Sequence, residues 1–447
     1  MMKSLSGIRG IVGLSLDPPT VIAYAAAFGQ LVRKGKVVVG RDSRPSGGYI
    51  SQLVCSTLAL AGCDVIDLGI VPTPTVELAV IHHKAVGGIA ITASHNPTEW
   101  NALKFFNSSG EFITRREYTR LEKMVDDNKP RFQPHDKIGR VMFDDQAIGR
   151  HIASVLRLKT IHPNEIRKRR YRIVVDAING AGSEALPQLL ERLGASVIRL
   201  NCKNDGNFFR KPEPIPENLT QLGQWVRRHK ADLGMACDPD ADRLALVDET
   251  GRPIGEELTL ALSVAYYLLF KKGPIAINLS TSRATADVAR MTGSRVYYSP
   301  VGEANVIAEM RRRSAVIGGE GNGGVILPDS HYGRDALVGA GLVISFLARS
   351  NRRLSELAGT IPAYCTIKKK APLPGRFERK IYIVEKQFKA AFGRVEIDRR
   401  DGLRCDLADG WVQVRKSNTE PIYRLFVEAR SVELARDLAA FVEKILA

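Results

Sequence analysis

Asp238-Pro239-Asp240-Ala241-Asp242-Arg243 is the most specific piece of local chemistry in the chain. Three carboxylates at alternating positions converge on a hard cation such as Mg²⁺, which takes oxygen ligands, and without a cation they repel one another. A solvated acidic loop is the plainer alternative. An EF-hand needs glycine at the sixth loop position and flanking helices; Arg243 stands at that position, and the apolar runs before Asp238 and from Leu244 read as strands. A cation with three carboxylate ligands keeps open positions, which an oxygen of a phosphorylated serine can fill.

Thr92-Ala93-Ser94-His95-Asn96-Pro97 follows the apolar run Ile89 to Ile91, and its Asn-Pro pair signals a turn. Ser94 could do no more there than satisfy loop amides. The chemical alternative is that Ser94 carries a phosphoryl group, which requires a nearby cation and a proton acceptor. Lys104 is a candidate proton carrier and His95 a candidate orienting donor. The loop lacks the G-x-S-x-G pattern of a serine hydrolase.

Two further loops carry donors and acceptors. Gly318-Gly319-Glu320-Gly321-Asn322-Gly323-Gly324 lets backbone approach a ligand closely, and Glu320 and Asn322 suit sugar hydroxyls. It lacks the lysine and hydroxyl of a P-loop. Gly302 and Glu303, in the Pro300 to Asn305 loop, either join it or merely start a helix. Arg415-Lys416-Ser417-Asn418-Thr419-Glu420-Pro421, with Arg424 beyond, packs donors fit for a phosphate dianion; a polar hairpin is the bland reading.

The elements that must position these loops form a repeat. Each copy opens with a β-branched strand and a polar loop: KVVVGRDSRPSG from Lys36, RIVVDAINGAG from Arg172 and PIAINLSTSRAT from Pro274. A helical stretch follows, then a strand introduced by Gly62, Gly194 or Gly293. A third strand runs into the serine, aspartate and glycine-rich loops in turn. Short continuous apolar strands alternating with helices predict α/β domains with largely parallel sheets, and ligands gather beyond the carboxyl ends of such strands. After about Arg349 the repeat stops. The stretch around Lys368-KKAPLPG reads as a linker, leading to strand, turn, strand and an amphipathic helix. The fold predicted is three related mixed α/β domains (1–148, 149–251 and 252–364) plus a smaller α+β domain (365–447).

The chain of 447 residues carries a net charge of +17 and 44% apolar residues. That length suits two to four domains. The basic runs Arg167–Arg170, Arg311–Arg313 and Lys368–Lys370 are far apart and not interleaved with aromatics, which disfavours nucleic-acid binding. A basic field draws in a small phosphorylated ligand equally well. No apolar run approaches the ~18 residues of a membrane span, the N-terminus lacks a secretory pattern, and the six scattered cysteines form no C-x-x-C pair. The expectation is a cytoplasmic protein.

Taken in order, GIRG at Gly7 to Gly10, TASHNP at Thr92, the DxDxDR loop, the loop at Glu320 and RxSNTEP at Arg415 resemble the α-D-phosphohexomutases over essentially the whole chain. The resemblance implies four domains around a central cleft. It implies that Ser94 is the phosphoserine, binding Mg²⁺ together with Asp238, Asp240 and Asp242. Arg9 would lie near it, with Lys104 and Arg243 assisting proton transfer. Glu320 and Asn322 would hold sugar hydroxyls, and Arg415, Ser417, Asn418, Thr419 and Arg424 the nonreacting phosphate. The implied reaction interconverts hexose 1- and 6-phosphates through a hexose 1,6-bisphosphate, which also serves as activator, in a monomer or homodimer.

Two positions depart from the family pattern. Many members read GExSGH where this chain has GEGNGG, so Asn322 replaces serine and Gly324 histidine, and His331 is no motif match. Ala102 stands where glycine is usual. GEANV with GNGG resembles the archaeal-type branch. Glu303 adds a carboxylate that could meet a substrate ammonium, which points to phosphoglucosamine mutase. A broad phosphoglucomutase/phosphomannomutase and a phosphosugar-binding protein without turnover are the alternatives.

Overall fold

The computed structural model describes residues 1–33, 35–127, 131–417 and 421–446. In chain order its strands are β1 (Met2–Ser4), β2 (Gly7–Ile11), β3 (Lys36–Arg41), β4 (Asp64–Ile70), β5 (Gly87–Ile91), β6 (Trp100–Asn107), β7 (Val141–Phe143), β8 (Arg172–Asp176), β9 (Ser196–Leu200) and β10 (Leu233–Cys237). There follow β11 (Leu244–Val247), β12 (Ile275–Asn278), β13 (Val296–Ser299), β14 (Ile317–Glu320), β15 (Gly324–Ile326), β16 (Cys365–Pro372), β17 (Glu396–Asp398), β18 (Leu403–Asp406), β19 (Gly410–Lys416) and β20 (Ile422–Ala429).

The strands make four sheets. The repeat is present in three of them as β6-β5-β3-β4, β11-β10-β8-β9 and β15-β14-β12-β13. In each, the first strand lies parallel to the second and third, and a fourth strand returns antiparallel beside the third. The return is forced by the short loop between third and fourth strands, which leaves no room for a crossover helix. The sequence shows the third strands plainly, and a fourth only after the aspartate loop. The first sheet is extended by β2 beside β6 and by β7 beside β4.

The helix Ala336–Ser350, which follows β15, is apolar on nearly every side and almost entirely buried. It packs on helices of the second and third units, including Ala147–Leu156, Gly182–Arg192 and Glu257–Tyr267. These two units therefore share one hydrophobic core.

The last unit differs from the expectation. Lys368-KKAPLPG is not a linker: Cys365–Pro372 is strand β16, paired along its length with β20, and the helix Phe377–Phe392 follows. Its Cys365, Ile367 and Ala371 lean on the core while lysines line the rest. Lysines, and a proline at the strand end, are features that keep an edge strand from pairing with other chains, and they mask its alternation in the sequence.

Candidate functional site

The serine loop is held in shape by buried polar groups. Ser94 has φ +48°, a left-handed conformation costing a serine about 1–2 kcal/mol. Its two peptide groups are pinned: Ser94 N donates to Thr92 Oγ1 at 3.0 Å, and Arg44 Nη2 donates to Ser94 O at 2.5 Å. Arg44 is fully buried and also donates to the carbonyls of Asn96, Pro97 and Trp100. Asp42 accepts from Arg44 Nε at 2.9 Å and from Thr92 Oγ1 at 2.6 Å. So fixed, Ser94 Oγ reaches into the second unit and donates to Asp238 Oδ2 at 2.8 Å.

Asp238, Asp240 and Asp242 leave β10 in the next loop, all buried, with one oxygen of each within 4.8 Å of the others. Thr73 and Lys104 both donate to Asp240 Oδ2, at 2.7 and 2.6 Å. Asp240 Oδ1 and Asp242 Oδ1 are buried and accept from no group among the described residues. Burial, then repulsion from Asp242 and Asp240, drives the Asp238 carboxyl well above the usual range. Buried carboxylate oxygens with unmet acceptors fit a hard divalent cation.

Other cationic groups close around the serine. Arg9, on β2 opposite Ala102 of β6, donates to Asn96 Oδ1 at 2.7 Å. Burial would lower Lys104, but Asp240 and Asp242 outweigh it and hold the ammonium charged. Arg243 Nε lies 3.9 Å from Asp238 and 3.7 Å from Asp242. His95 Nδ1 is 3.4 Å from Ser94 Oγ, and burial together with Arg243 and Arg9 pushes the ring well below its ordinary pKa, so it is neutral.

Across from the serine, Glu320 ends β14. Its Oε1 accepts from Asn278 Nδ2 at 2.7 Å and from Gly302 N at 3.0 Å; its Oε2 accepts from Arg334 Nη1 at 2.8 Å and from Asn322 Nδ2 at 3.3 Å. Glu303 corrects an expectation. It is 4% exposed and both its oxygens accept from Arg334, so it presents no open carboxylate to a substrate ammonium. The amide of Gly302 is likewise spent on Glu320. In the last unit Arg415 and Arg424 face each other across β19 and β20, and Lys370 of β16 continues the row. Asp401 Oδ1 lies 3.6 Å from Arg415 Nη1, and its Oδ2 accepts from Val301 N at 3.0 Å, which sets the row beside the Pro300 to Asn305 loop of the third unit. Ser417 N donates to Ile422 O; Asn418 and Thr419 fall outside the described residues.

Four family models match the chain in succession: phosphoglucomutase/phosphomannomutase alpha/beta/alpha domain I over residues 2–132, domain II over 150–251, domain III over 257–364 and the C-terminal domain over 374–445. The chain belongs to the phosphoglucomutase/phosphomannomutase family. A "Probable phosphoglucosamine mutase" of Methanopyrus kandleri is 38% identical, covering 97% of this chain and 95% of that protein. A "Phosphoglucomutase/phosphomannomutase" of Thermococcus kodakarensis is 37% identical over 98% of this chain and 97% of its own. Among solved structures, a phosphoglucomutase/phosphomannomutase family protein of Burkholderia thailandensis superposes with a TM-score of 0.86 at 28% identity, covering 100% of this chain and 98% of that one.

Within this phosphoglucomutase/phosphomannomutase chain, the groups that sequence reasoning passed over share a pattern. In each repeat, a polar residue at or just past the end of the first strand anchors the loop closing the third. Asp42 holds Thr92 and Arg44. Asp176 holds Arg210 at 2.9 Å, and Arg210 donates to Cys237 O beside the triad. Asn278 holds Glu320. In the repeat alignment Asp176 and Asn278 fall at the same place, while Asp42 stands two residues beyond it, past the end of its strand. Arg334, bonded to Asp242, Glu303 and Glu320, carried no such mark.

Proposed function

We propose that this chain interconverts the 1- and 6-phosphates of a hexose, with glucosamine phosphate as its substrate, through phosphorylated Ser94. The observation that carries the reading is Ser94 Oγ hydrogen-bonded at 2.8 Å to Asp238, one of three clustered buried aspartates, beside Asp240 Oδ1 and Asp242 Oδ1, which accept from no group among the described residues. Asp238, Asp240 and Asp242 would hold Mg²⁺, which supplies positive charge beside the phosphoryl oxygens on Ser94. The chain's own groups do the rest. When the phosphoryl group passes to a sugar hydroxyl, the Oγ–P bond breaks, a P–O bond to the sugar forms, and the hydroxyl proton must be taken up and delivered to the departing Oγ, which leaves Ser94 as a free hydroxyl. Neutral His95, 3.4 Å from Oγ, can accept a proton, while Lys104 and Arg243 balance charge. The Lys370, Arg424 and Arg415 row holds the phosphate that does not react.

The 1,6-bisphosphate formed this way turns over in the cleft and returns its other phosphate to Ser94, so a trace of bisphosphate primes the reaction. On this reading units 1–148, 149–251, 252–364 and 365–447 contribute serine, cation, sugar and phosphate loops respectively. The chain works in the cytoplasm as a monomer or homodimer. With the Glu303 argument removed, the choice of glucosamine rests on the names of relatives such as that of Methanopyrus kandleri. The Thermococcus kodakarensis relative favours a second reading, a broad phosphoglucomutase/phosphomannomutase.

Phosphorus NMR of the 1-phosphates of glucosamine, glucose and mannose, with Mg²⁺ and a trace of hexose 1,6-bisphosphate, tests both. Conversion to the 6-phosphate, abolished in Ser94→Ala, is expected, fastest for glucosamine. No conversion of any of the three, with phosphate found on Ser94 by intact mass, would replace the enzyme with a phosphosugar-binding protein.

A further inference from the structure

Arg334 lies between β15 and the helix Ala336–Ser350, buried among carboxylates from three loops. Its Nη2 is 2.5 Å from Asp242 Oδ2, its Nη1 2.8 Å from Glu320 Oε2 and its Nε 3.1 Å from Glu303 Oε2. Its own backbone N donates to Glu303 Oε1 at 2.7 Å. One residue thus joins the second unit's aspartate loop to the third unit's glycine-rich loop. The stem of the side chain runs over Gly324: a Cβ at that position would come within 2.4 Å of Arg334 Cδ and 3.0 Å of Cγ. Gly324 is therefore the absence of a side chain that makes room for Arg334.

The pairing is selective at the atomic level. Arg334 occupies Oδ2 of Asp242 while Oδ1, buried and unmet, remains for a cation. Together with Asn278 and Gly302 it keeps the Glu320 carboxyl below its usual pKa despite burial. A planar guanidinium can span three carboxylates at fixed angles; an ammonium cannot.

We propose that Arg334 is a positioning residue that sets the span between the aspartate loop and the sugar loop, with Glu303 and Gly324 as the parts that hold it in place. The proposal rests on the mutase reading for its substrate arm but not for its cation arm. Three variants release the same side chain by different means: Arg334→Lys shortens its reach, Glu303→Gln weakens its anchor, and Gly324→Ala displaces its stem without removing a charge.

The experiment measures kcat and KM for the hexose 1-phosphate, and separately the Mg²⁺ concentration giving half-maximal thermal stabilisation. In all three variants both KM and the Mg²⁺ midpoint should rise about tenfold. Glu303→Gln with Gly324→Ala should be little worse than either alone, because both act through Arg334. A lowered melting temperature, with KM and the Mg²⁺ midpoint within about twofold of the parent, would reduce Arg334 to a structural ion pair and overturn the proposal. So would additive effects in the double variant. If the parent protein converts no hexose phosphate, the mutase reading falls, and the Mg²⁺ midpoint alone then decides the role of Arg334.

Discussion

Arg44 shows how far the chemistry of one residue depends on another that never touches substrate. It spends its guanidinium on four carbonyls of the serine loop and on Asp42, and thereby sustains the left-handed Ser94. An ammonium offers three donors from a single point and cannot reach that set. Arg44→Lys should leave the fold intact by circular dichroism and lower kcat by about a hundredfold, the scale of effect a misplaced reacting atom has. Unchanged kcat would mean that Thr92 alone positions the serine. Ser94 and the three aspartates were legible in the sequence because their chemistry lies within six consecutive residues. Arg44 and Arg334 were not, because the loops they hold, at Ser94 to Trp100 and at Asp242 and Glu303, stand tens of residues away, and an isolated arginine in a basic chain carries no local mark. Glu303 was misread for the same reason: its partner, Arg334, is 31 residues on.

At the scale of elements, the helix Ala336–Ser350 is placed by one residue, Asp335. Its Oδ1 accepts from Leu337 N at 2.8 Å and Val338 N at 3.2 Å, capping the helix, while Oδ2 accepts from His151 Nε2 at 2.9 Å. Asp335→Asn keeps an acceptor for the cap; Asp335→Ala keeps neither function. Urea denaturation should show the alanine variant destabilised by about 2–4 kcal/mol and the asparagine variant by roughly half as much, from cap loss plus a stranded buried partner. Equal losses would place the whole effect on the histidine contact. The repeated strands were legible as elements because each is a short, continuous apolar run. Strand β16 was not, since Lys369, on the same face as Cys365, Ile367 and Ala371, broke the alternation that marks a strand, and the antiparallel β6 and β15 were hidden because their loops looked like the end of each repeat.

Over the whole molecule, the three α/β units meet at buried histidines. Thr75 of the first unit and His151 of the second are 2.8 Å apart, His151 reaches Asp335 of the third, and His331 lies 3.3 Å from Glu77. Burial pulls His331 down to about 4 from its ordinary 6.5, with Asp335 opposing and His151 assisting. Between those values the unfolded chain binds a proton that the folded chain refuses. Stability therefore falls as pH drops from about 6.5 towards 4, by roughly 3 kcal/mol, and is unaffected by this group above 6.5. Glu77 acts in the opposite sense, since burial and Glu303 raise its carboxyl, so the histidine must be isolated by substitution. Denaturant midpoints across this pH range should flatten in His331→Leu; a curve parallel to the parent's would assign the acid limb to other groups.

The pin of Thr75, His151 and Asp335 also orders events during synthesis. A chain emerging from the ribosome has its serine loop complete after Trp100 and its aspartate loop after Arg243, yet the residue that locks the first two units to the third is made ninety-two positions after Arg243. Until then His151 has one polar partner instead of two, and the two finished units have only their direct contacts to hold them in register. The cation row of β19 and β20 arrives later still. A chain cut short before β19 thus holds Ser94 and the three aspartates without the Arg415 and Arg424 row, and one cut short before Asp335 has its first two units without that pin as well.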